Sequence, residues 1–296
     1  MTKRAGYVAL LGRPNVGKST LLNQLVGQKL SITSPKPQTT RHALLGIKTL
    51  DGAQIVYVDT PGLHRTGRRA INRYMNRAAS ATLDYVNVVV WVVEALRWNA
   101  EDSAVLERLR DFPGAVVGAV SKIDRLDDKA RLLPFLQELG TRRAFAHLIP
   151  IAALTGDNLA VLEQRIVELL PEAEFLFPTD QITTASERFL AAELIREKLT
   201  RALSQELPYA LAVDIEQFTE EGNLVRIGAV IWVERPGQKS IVIGADGALL
   251  KKIGQQARRD LEVLLGRKVF LETWVKVRAD WPDDESALHS LGYHHA

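Results

Sequence analysis

The sequence predicts an α/β domain with a mostly parallel sheet, followed by a smaller α+β domain. In the first half, apolar strand-like runs alternate with helical patterns, which is typical of a parallel sheet covered by helices on both faces. The alternation breaks at FLFPTDQITTASE, residues 175–187, which holds Pro178 and a cluster of small polar residues. We therefore expect a first domain over residues 1–177, a linker over 178–185 and a second domain over 186–296.

The individual elements follow from the same patterns. In the first domain the predicted strands are YVALLG, QIVYVDT, VNVVVWVV, GAVVGAVS and HLIPIAAL, and the clearest helices are Lys18 to Val26, Ser103 to Leu109 and Leu159 to Leu170. In the second domain we expect a helix from Ser186 to about Ser204, the strands LAVDIEQF, LVRIGAVIWVE and KSIVIG, a basic helix from about Ala248 to Leu265 and a last strand, VFLETWVKVRA. This order does not alternate, so the second domain is predicted to be α+β.

The composition limits the classes of protein that need to be considered. Of the 296 residues, 46% are hydrophobic and 25% are charged, which is enough apolar material for one large or two medium domains. The chain has no Cys, which excludes disulfides and thiolate zinc sites and favours a reducing cytosol. The net charge of +3 and the pI of about 9.1 fit a nucleic-acid or anionic-membrane partner. The longest apolar stretch, Val86 to Val93, is too short to span a membrane and fits a buried parallel strand.

A phosphate-binding motif lies near the start of the chain. GRPNVGKST, Gly12 to Thr20, matches G-x-x-x-x-G-K-[ST], follows a predicted strand and opens a predicted helix, a context that disfavours a plain glycine turn. The two glycines let successive backbone N–H groups face one anion, and the helix N-terminus adds a partial positive charge. Lys18 is expected to reach the β- and γ-phosphates, and Ser19 to offer its hydroxyl to Mg²⁺. The predicted nucleotide-binding residues of this loop are Gly12, Asn15, Val16, Gly17, Lys18, Ser19 and Thr20.

Two further segments are expected to complete the phosphate end of the site. Asp59 in VYVDTPGL ends a hydrophobic strand at the carboxyl edge of the sheet, where it can hold Mg²⁺ through water, and Gly62 can offer its N–H to a γ-phosphate. The loop SPKPQTTRH, residues 34–42, is predicted to be mobile because it holds two Pro residues and several polar ones. Thr39 or Thr40 is expected to ligate Mg²⁺ and so to order the loop, although a plain surface loop is an alternative. The predicted metal ligands are Ser19, Thr40 and Asp59.

A base-recognition loop is predicted at AVSKID, residues 119–124. Asp124 can accept hydrogen bonds from N1–H and the exocyclic amine of guanine, whereas adenine would leave the carboxylate unpaired. The Lys122 stem can lie over the base or the loop. Ser121 is shorter than Asn and has no amide, so we expect the loss of a contact to the base or of a tie to the phosphate loop, and a lower nucleotide affinity. In IAALTG, the backbone N–H of Ala153 or Leu154 can meet the guanine O6.

In this order, the motifs GRPNVGKST, PQTTRH, DTPG, SKID and AAL resemble those of the translation-factor-related GTPases, and most closely the Era-like family of bacterial ribosome-assembly GTPases. The resemblance covers nearly the whole chain, because IVIGADGALLKKIGQQARRDLE is similar to a type II KH domain and WVKVRADW to its final strand. It implies a P-loop GTPase domain followed by an RNA-binding KH domain.

The resemblance also implies an activity and its partners. We expect Mg²⁺-dependent hydrolysis of GTP to GDP, coupled to binding of the 3′ region of 16S rRNA in the small (30S) ribosomal subunit, and hence a role in ribosome assembly and rRNA maturation. The protein is expected to be a cytoplasmic monomer that associates reversibly with the inner face of the cell membrane.

Three residues depart from the family pattern. Ser121 stands in place of Asn and Ala152 in place of the usual Ser, and both predict a weaker hold on the nucleotide. Ala245, in the glycine turn of the KH domain, replaces a usual Lys, so one phosphate-facing charge is missing beside an acidic neighbour, Asp246. We expect a lower RNA affinity from this third departure.

The catalytic residues are predicted to be Asn15, Lys18, Thr40 and Gly62. Leu63 stands where many small GTPases place a Gln that orients the attacking water, so slow intrinsic hydrolysis is expected. In cation-dependent members of the resembled family, the residue that matches Asn15 helps to bind K⁺, which neutralises charge that develops in the reaction. A backbone cap in a turn is the alternative role for Asn15.

A nucleic-acid interface is predicted around GADG, residues 244–247. A G-x-x-G turn between two helices lets the backbone approach phosphates and clamp about four nucleotides. The predicted RNA-binding residues are Ile243, Gly244, Ala245, Asp246, Gly247, Lys251, Lys252 and Arg258, with Arg259 adding charge. A helix with a solvated basic face is the plainer alternative.

Two other functions are compatible with parts of the sequence. The first is an RNA-binding assembly factor whose nucleotide domain binds GTP but barely hydrolyses it, which Ser121, Ala152 and Leu63 favour. The second is a P-loop kinase of a small metabolite, which lacks support because no acceptor site is visible.

Overall fold

The computed structural model describes residues 2–36, 39–62, 69–204 and 207–290, and these form two sheets, each with its own helices. The first sheet has six strands in the order β2-β3-β1-β4-β5-β6. Its strands are β1 (Arg4–Leu11), β2 (Leu44–Leu50), β3 (Ala53–Asp59), β4 (Val88–Glu94), β5 (Ala115–Ser121) and β6 (His147–Pro150). Its helices are α1 (Lys18–Val26), α2 (Ala70–Ala81), α3 (Ala100–Leu109), α4 (Leu132–Arg142) and α5 (Leu159–Leu169).

All strand pairs of this sheet are parallel except β2 with β3, which confirms the predicted mostly parallel sheet. The sequence patterns gave no strand at β2, whose pairing with β3 starts at Leu50 and Ala53 across a tight turn. Every residue of β4 is buried, as expected for a central parallel strand covered on both faces. Successive residues of β1 point to opposite faces of the sheet. Val8 packs with α1 and α5 on one face, whereas Ala9 packs with α2 and α3 on the other.

The topology places all functional loops of the first domain at one edge. Because β1, β3, β4, β5 and β6 run in the same direction, their carboxyl ends meet at the same edge of the sheet. The phosphate motif follows β1, Asp59 is the last residue of β3, SKID begins at the last residue of β5, and IAALTG follows β6.

Residues 170–186 run back along the edge of this sheet before the second domain begins. Gln54 holds the segment, because its side-chain oxygen accepts hydrogen bonds from the N–H groups of Leu176 and Phe177 at 2.8 and 3.0 Å. Further on, the Ile47 N–H donates to the Ile182 carbonyl at 2.8 Å. The segment that was predicted to be a linker is therefore packed against β2.

The second domain has three strands, in the order β7-β8-β9. Its elements are α6 (Glu187–Ala202), β7 (Leu211–Glu221), β8 (Leu224–Val233), α7 (Pro236–Ile243), α8 (Ala248–Leu265), β9 (Lys268–Val277) and α9 (Glu285–Ser290). Strands β7 and β8 are antiparallel, and β8 and β9 are parallel. Helices α6 and α8 cover one face of the sheet, where Leu194, Ile231 and Leu261 belong to one buried cluster.

The prediction of a strand at KSIVIG was wrong, because this segment lies in α7. Pro236 stands in the first turn, where its missing N–H is not needed, and the Gln238 side chain accepts a hydrogen bond from the Arg235 N–H at 3.0 Å. Gly244 follows the helix with a φ of 74° and ends it. Such a short apolar run fits a strand or a buried helix equally well by its pattern alone.

The two domains share an apolar contact. On the α2 side it contains Ile71, Tyr74 and Met75, and on the second-domain side Ala212 and the fully buried Trp281. Across the described parts of the chain, we find no helix with the length and apolar content needed to cross a lipid bilayer.

Candidate nucleotide site and nucleic-acid groove

The phosphate motif forms the turn between β1 and α1. Gly12 has a φ of 153°, and a Cβ at this position would lie 2.5 Å from the Val92 carbonyl oxygen, so no larger residue fits. Gly17 precedes the first turn of α1 with a φ of 109°. The turn therefore directs its backbone N–H groups and the N-terminus of α1 toward the same point, which is the arrangement that binds phosphate.

Lys18 is buried within this loop. Its Nζ donates to the carbonyl oxygens of Gly12 and Arg13 at 3.0 and 3.1 Å. Burial lowers the pKa of Lys18 to about 8, although the nearby carboxylate of Asp59 acts in the opposite direction. Both of these partners are neutral carbonyls. A phosphate group that replaced them would give the Lys18 ammonium group a negatively charged partner.

Three hydroxyl groups and one carboxylate converge beneath the phosphate loop. Asp59 Oδ2 accepts hydrogen bonds from Ser19 Oγ at 2.8 Å, Ser31 Oγ at 2.7 Å and Thr40 Oγ1 at 3.4 Å. Ser19 Oγ and Thr40 Oγ1 are 2.8 Å apart. Burial raises the pKa of Asp59, whereas the hydrogen bond from Ser31 opposes the rise. The buried Asp59 Oδ1 has no partner among the described residues.

This oxygen-only donor set fits Mg²⁺, which prefers carboxylate, hydroxyl and water ligands. The structure also separates the two threonines between which the sequence could not choose. Thr39 Oγ1 donates to the Lys36 carbonyl at 2.6 Å, whereas Thr40 Oγ1 lies beside Ser19. Thr40 is therefore the threonine placed at the candidate metal site.

Gly62 lies against the phosphate loop. A Cβ at Gly62 would lie 2.9 Å from Pro14 Cγ and 3.1 Å from the Pro14 nitrogen. The absent side chain thus allows the segment after Asp59 to approach the loop that holds the phosphates. Leu63, the expected hydrophobic replacement for a water-orienting Gln, lies outside the described residues.

Ser121 keeps the connection between the base loop and the phosphate loop. The side chain is buried, and its Oγ donates to the Val16 carbonyl at 2.8 Å and to the Val93 carbonyl at 3.2 Å. The expected loss of the hydrogen bond between the base loop and the phosphate loop therefore does not occur, because Ser121 makes this bond. A contact to the base, which needs the longer side chain of Asn, is the remaining difference.

Lys122 and Asp124 occupy the turn that follows β5. Lys122 adopts a φ of 62°, and its Nζ donates to Glu94 Oε2 at 3.0 Å. Burial acts to raise the pKa of Glu94, but the hydrogen bonds and charges of Lys122 and Arg13 outweigh it and lower this pKa. Asp124 is exposed, and its carboxylate makes no hydrogen bond or ion pair with another described residue. It is therefore available to a ligand.

A cavity of about 460 Å³ joins these loops. Its lining includes most of the predicted nucleotide-binding residues, namely Asn15, Val16, Gly17, Lys18, Ser19, Thr20, Gly62, Ser121, Lys122, Asp124, Ala153 and Leu154. Gly12 and Asp59 lie behind this lining. The cavity therefore has a cationic end at Lys18, which suits phosphates, and an acidic end at Asp124, which suits the N1–H and amine donors of guanine.

The loop between α1 and β2 connects this cavity with the second domain. Thr33 lines the cavity, and both its N–H and its Oγ1 donate to Glu197 Oε1 of α6, at 3.0 and 3.2 Å. Arg201, also of α6, donates to the Thr33 carbonyl at 2.9 Å and lines the same cavity. Glu197 is fully buried and also pairs with Lys29 at 2.5 Å. One helix of the second domain thus forms part of the nucleotide site.

The same loop makes further contacts on both sides of Thr40. Lys36 Nζ donates to the Thr200 carbonyl at 2.6 Å, and Arg196 donates to the Thr39 carbonyl. Arg41 is buried and donates to the carbonyls of Leu211 at 2.8 Å and Pro208 at 2.9 Å. Thr40 therefore lies in a loop whose flanking residues bond to α6 and to the start of β7.

The predicted nucleic-acid residues separate into two groups on α8. A groove of about 480 Å³ contains Gly247, Lys251 and Arg258, with Leu271 and Thr273 of β9 on its other wall. Lys252 and Arg259 lie instead on the side of α8 that faces α6. Gly244 and Gly247 have φ values of 74° and 75°, and Asp246 between them has a φ of 49°. Ala245 and Asp246 are exposed at the tip of the turn, and Ile243 is half-buried beside it.

Several residues of the site were missed by sequence reasoning. Ser31 contacts Asp59, and Arg201 lines the nucleotide cavity from another domain. No local motif indicates either contact, since each joins segments that are distant in sequence. Arg13 pairs with Glu94 at 2.8 Å and with Asp102 at 3.2 Å, which positions the acceptor of Lys122.

Two family models match the chain. The model described as "50S ribosome-binding GTPase" matches residues 7–122, and the model described as "KH domain" matches residues 206–282. The chain is 58% identical to the GTPase Era of Pseudomonas aeruginosa over 290 residues, which cover 98% of this chain and 95% of that protein. It is 57% identical to the GTPase Era of Azotobacter vinelandii over 98% of this chain and 97% of that protein.

Solved structures agree with these relatives. A variant of Era from Aquifex aeolicus bound to GDP·AlF4⁻ superimposes with a TM-score of 0.95 at 38% identity, covering 98% of this chain and 99% of that one. A structure of Era in complex with MgGDPNP and nucleotides 1506–1542 of 16S ribosomal RNA gives the same values. These similarities extend over both domains.

Proposed function

The chain belongs to the Era family of GTPases, and we propose that its GTP cycle controls how its KH domain holds the 3′ region of 16S rRNA in the small (30S) ribosomal subunit. The related structure that holds MgGDPNP together with a 16S rRNA segment supports binding of both nucleotide and RNA. The related structure that holds GDP·AlF4⁻ supports GTP hydrolysis. Through this cycle the protein takes part in ribosome assembly and rRNA maturation.

The observation that carries the proposal is the clamped position of the loop between α1 and β2. Thr33 and Thr40 of this loop face the nucleotide cavity, while Lys36 and Arg41 bond to the second domain. A γ-phosphate adds negative charge next to Thr40. Because the same loop contacts both the nucleotide cavity and the second domain, a change at Thr40 can alter the contacts with the second domain. Both domains are thus biased by the position of one loop, which is the physical requirement for coupling.

Each residue of the phosphate end has a distinct role in this proposal. Lys18 and the N–H groups of the loop hold the β- and γ-phosphates, and Gly62 donates its N–H to the γ-phosphate. Ser19, Thr40 and Asp59 hold Mg²⁺, Asp59 through water. Mg²⁺ held by these residues would neutralise the negative charge that develops on the phosphates during transfer. Ser31, which shares the Asp59 carboxylate, keeps this side chain oriented.

The base end selects guanine. Asp124 accepts from the guanine N1–H and the exocyclic amine, and the backbone N–H of Ala153 or Leu154 meets the O6. Neither of these N–H groups makes a backbone hydrogen bond to another described residue. Lys122 is held by Glu94 and packs its stem along the base.

We propose K⁺ as a second cation, bound with the help of Asn15. Asn15 lines the cavity, its side-chain nitrogen donates to the Pro35 carbonyl at 2.8 Å, and its side-chain oxygen makes no hydrogen bond to another described residue. K⁺ at this position would neutralise charge that develops on the phosphates. GTP turnover measured in K⁺ and in Na⁺ at equal ionic strength tests the role: faster turnover in K⁺ is expected, and equal rates would rule it out.

The RNA end of the proposal uses the groove beside the glycine turn. Backbone N–H groups of residues 244–247 approach phosphates, and Lys251 and Arg258 add positive charge along the groove. Ala245 and Asp246 provide no positive charge at the tip of the turn. RNA binding therefore depends on the backbone N–H groups of the turn and on the cationic side chains of α8. We further propose that the protein acts as a cytoplasmic monomer, for which the absence of Cys fits a reducing cytosol. The basic composition favours reversible contact with anionic lipid on the inner face of the membrane.

The proposal is tested by measuring the affinity for a 16S rRNA 3′ fragment in the presence of GDP and of a non-hydrolysable GTP analogue. We expect the two affinities to differ, and GTP turnover to change when small ribosomal subunits are added. Ala245→Asp provides the control, because Ala245 is exposed at the tip of the turn without a positive φ, and the added charge repels phosphate. It should reduce RNA binding and spare GTP binding. Equal RNA affinity in both nucleotide states would contradict the proposal.

A further inference from the structure

A second basic groove lies between α6 and α8, separate from the groove beside the glycine turn. Its volume is about 570 Å³. Four cationic side chains line it, Lys198 and Arg201 from α6 and Lys252 and Arg259 from α8, together with Gln256 and Asp260. The two grooves lie on opposite sides of α8.

The charges of this groove are unevenly paired. Its acidic residue, Asp260, is bonded to Lys198 and to Lys29, the latter at 3.2 Å, and these cations lower the pKa of Asp260 although burial opposes them. Lys252 and Arg259 are exposed and make no hydrogen bond or ion pair with any described residue. The groove therefore keeps a positive charge that the protein itself does not neutralise.

Resting on the proposed function, we propose that this groove binds the phosphate backbone of an RNA segment adjacent to the one held at the glycine turn. Its free groups are an ammonium and a guanidinium, which bind phosphates, and no aromatic ring lines the groove to stack on a base. Binding there adds affinity and register rather than sequence recognition.

The geometry of α8 makes one continuous RNA path possible. Lys251 and Arg258 are seven residues apart on the glycine-turn side, and Lys252 and Arg259 repeat this spacing on the other side. An RNA chain that leaves the groove beside the glycine turn has to cross only the width of one helix, about 10–12 Å, to reach the second groove. Both pairs of cations lie on one rigid element, so they hold a fixed spacing.

The groove fits RNA better than a lipid surface. Interfacial binding requires exposed apolar side chains that enter the bilayer. Here Ile253 is buried and Leu249 is half-buried at the base of a concave surface. A flat membrane cannot reach the floor of such a groove, whereas a phosphate chain can.

Arg201 connects this groove with the nucleotide cavity. The side chain lines both cavities, and Arg201 Nη2 donates to Thr33 Oγ1 at 2.8 Å. RNA phosphate in the groove would compete with Thr33 for this guanidinium. The groove is therefore placed where bound RNA can act on the loop that faces the nucleotide.

The test compares two RNA probes across matched variants. The long probe is a 16S rRNA 3′ fragment of about 30 nucleotides, and the short probe has about four, the length that a KH groove holds. In Lys252→Ala with Arg259→Ala, the slope of log K against log salt for the long probe should become shallower by about 1.4, for two phosphates at roughly 0.7 each. If the binding curves converge at 1 M salt, affinity at 0.1 M falls roughly 25-fold. Binding of the short probe should not change.

Three controls keep the outcomes distinct. Lys252→Arg with Arg259→Lys retains the charge and should bind the long probe like the original protein. Lys129→Ala with Arg131→Ala removes the same charge from exposed positions in the first domain and should have little effect. Loss of GTP binding in the groove variant would indicate misfolding, and equal GTP binding is expected.

The results separate this inference from the proposed function. If the unaltered protein binds neither probe, the proposed function fails. If it binds both and the groove variant keeps the same salt slope for the long probe, the second groove is not an RNA site. If the variant instead loses binding to phosphatidylserine vesicles and keeps its RNA affinity, the groove serves a membrane and the inference is wrong.

Discussion

Thr33 Oγ1 accepts a hydrogen bond from Arg201 Nη2 at 2.8 Å, which joins the wall of the nucleotide cavity to a helix of the KH domain. The same threonine donates to the fully buried Glu197. Burial acts to raise the pKa of Glu197, but Lys29, the Thr33 N–H and Arg201 outweigh it and lower this pKa. A charged, buried carboxylate thus stands at the centre of the contact between the domains.

Thr33→Val should weaken the coupling between nucleotide and RNA. Valine keeps the shape of threonine, but its side chain neither accepts from Arg201 nor donates to Glu197, while the backbone hydrogen bonds of residue 33 to both partners remain. A hydrogen bond is worth about 0.5–1.5 kcal/mol net, so the ratio of RNA affinities in the GTP-analogue and GDP states should move toward one by roughly threefold. RNA titrations in both nucleotide states measure the ratio.

Thr141→Val is the matched control for this prediction. Thr141 is exposed on α4, and its hydroxyl donates only within the first domain, to the Glu138 carbonyl at 2.7 Å. The control should leave the ratio unchanged. An unchanged ratio in Thr33→Val as well would mean that the loop signals through other contacts.

Ser121→Ala should lower both nucleotide affinity and stability. The substitution removes the donor to two buried carbonyls, at a cost of about 1–3 kcal/mol, and part of this cost affects the phosphate loop at Val16. We expect the Kd for GDP to rise roughly tenfold and the Tm to fall. Ser121→Asn should lower the Kd, because the amide adds reach toward the base. Ser80→Ala, at an exposed position on α2, is the control. Tighter binding by Ser121→Ala would refute this account of the tie.

Asp124→Asn should exchange guanine for xanthine. An amide donates to the xanthine 2-oxygen but cannot accept both guanine hydrogen bonds, and charged hydrogen bonds are worth about 1.5–3 kcal/mol. GTP affinity should fall roughly 10- to 100-fold while XTP affinity rises. Competition among GTP, GDP, XTP and ATP on the purified protein is the measurement. If ATP competes as well as GTP with the unaltered protein, Asp124 does not select the base.

Lys18 should take up a proton when nucleotide binds near pH 8. Its pKa is about 8 in the free site, so about half of the molecules carry a neutral amine at that pH. Phosphate favours the ammonium form and raises the pKa, so binding draws a proton from solution and affinity falls as the pH rises above 8.

Calorimetry of GTP binding in buffers with different ionisation enthalpies measures the proton uptake. About half a proton per nucleotide is expected at pH 8, and almost none at pH 6.8. Uptake that is absent at pH 8 would show that Lys18 is already fully charged in the free protein.

Local motifs explain most of what the sequence predicted correctly. The phosphate loop, Asp59 and SKID follow strands whose ends meet at one edge, so their proximity follows from the topology alone. The basic helix predicted from about Ala248 to Leu265 has these bounds in the structure, where Gly247 and Gly266, both with positive φ, delimit it. The type II KH domain and the GTPase fold were predicted correctly through the family resemblance and are confirmed by the two family models.

The rest depends on tertiary contacts. KSIVIG has an apolar pattern without a decisive period, and its capping by Gln238 settles the helix. Lys251 and Lys252 are neighbours in sequence, yet only the positions of α6 and β9 show that they face different grooves. Ser31 and Arg201 reach the site across 28 and 168 positions of sequence, to Asp59 and Thr33 respectively, which no local pattern encodes.

The apolar contact of α2 with Trp281 has a practical consequence for dissecting the protein. In a fragment that ends before the KH domain, Ile71, Tyr74 and Met75 would form a solvent-exposed hydrophobic patch on α2. Such a fragment should self-associate at the concentrations used for crystallisation, even with its nucleotide chemistry intact. Replacing Ile71 and Met75 with polar residues is the first step toward a well-behaved half-molecule.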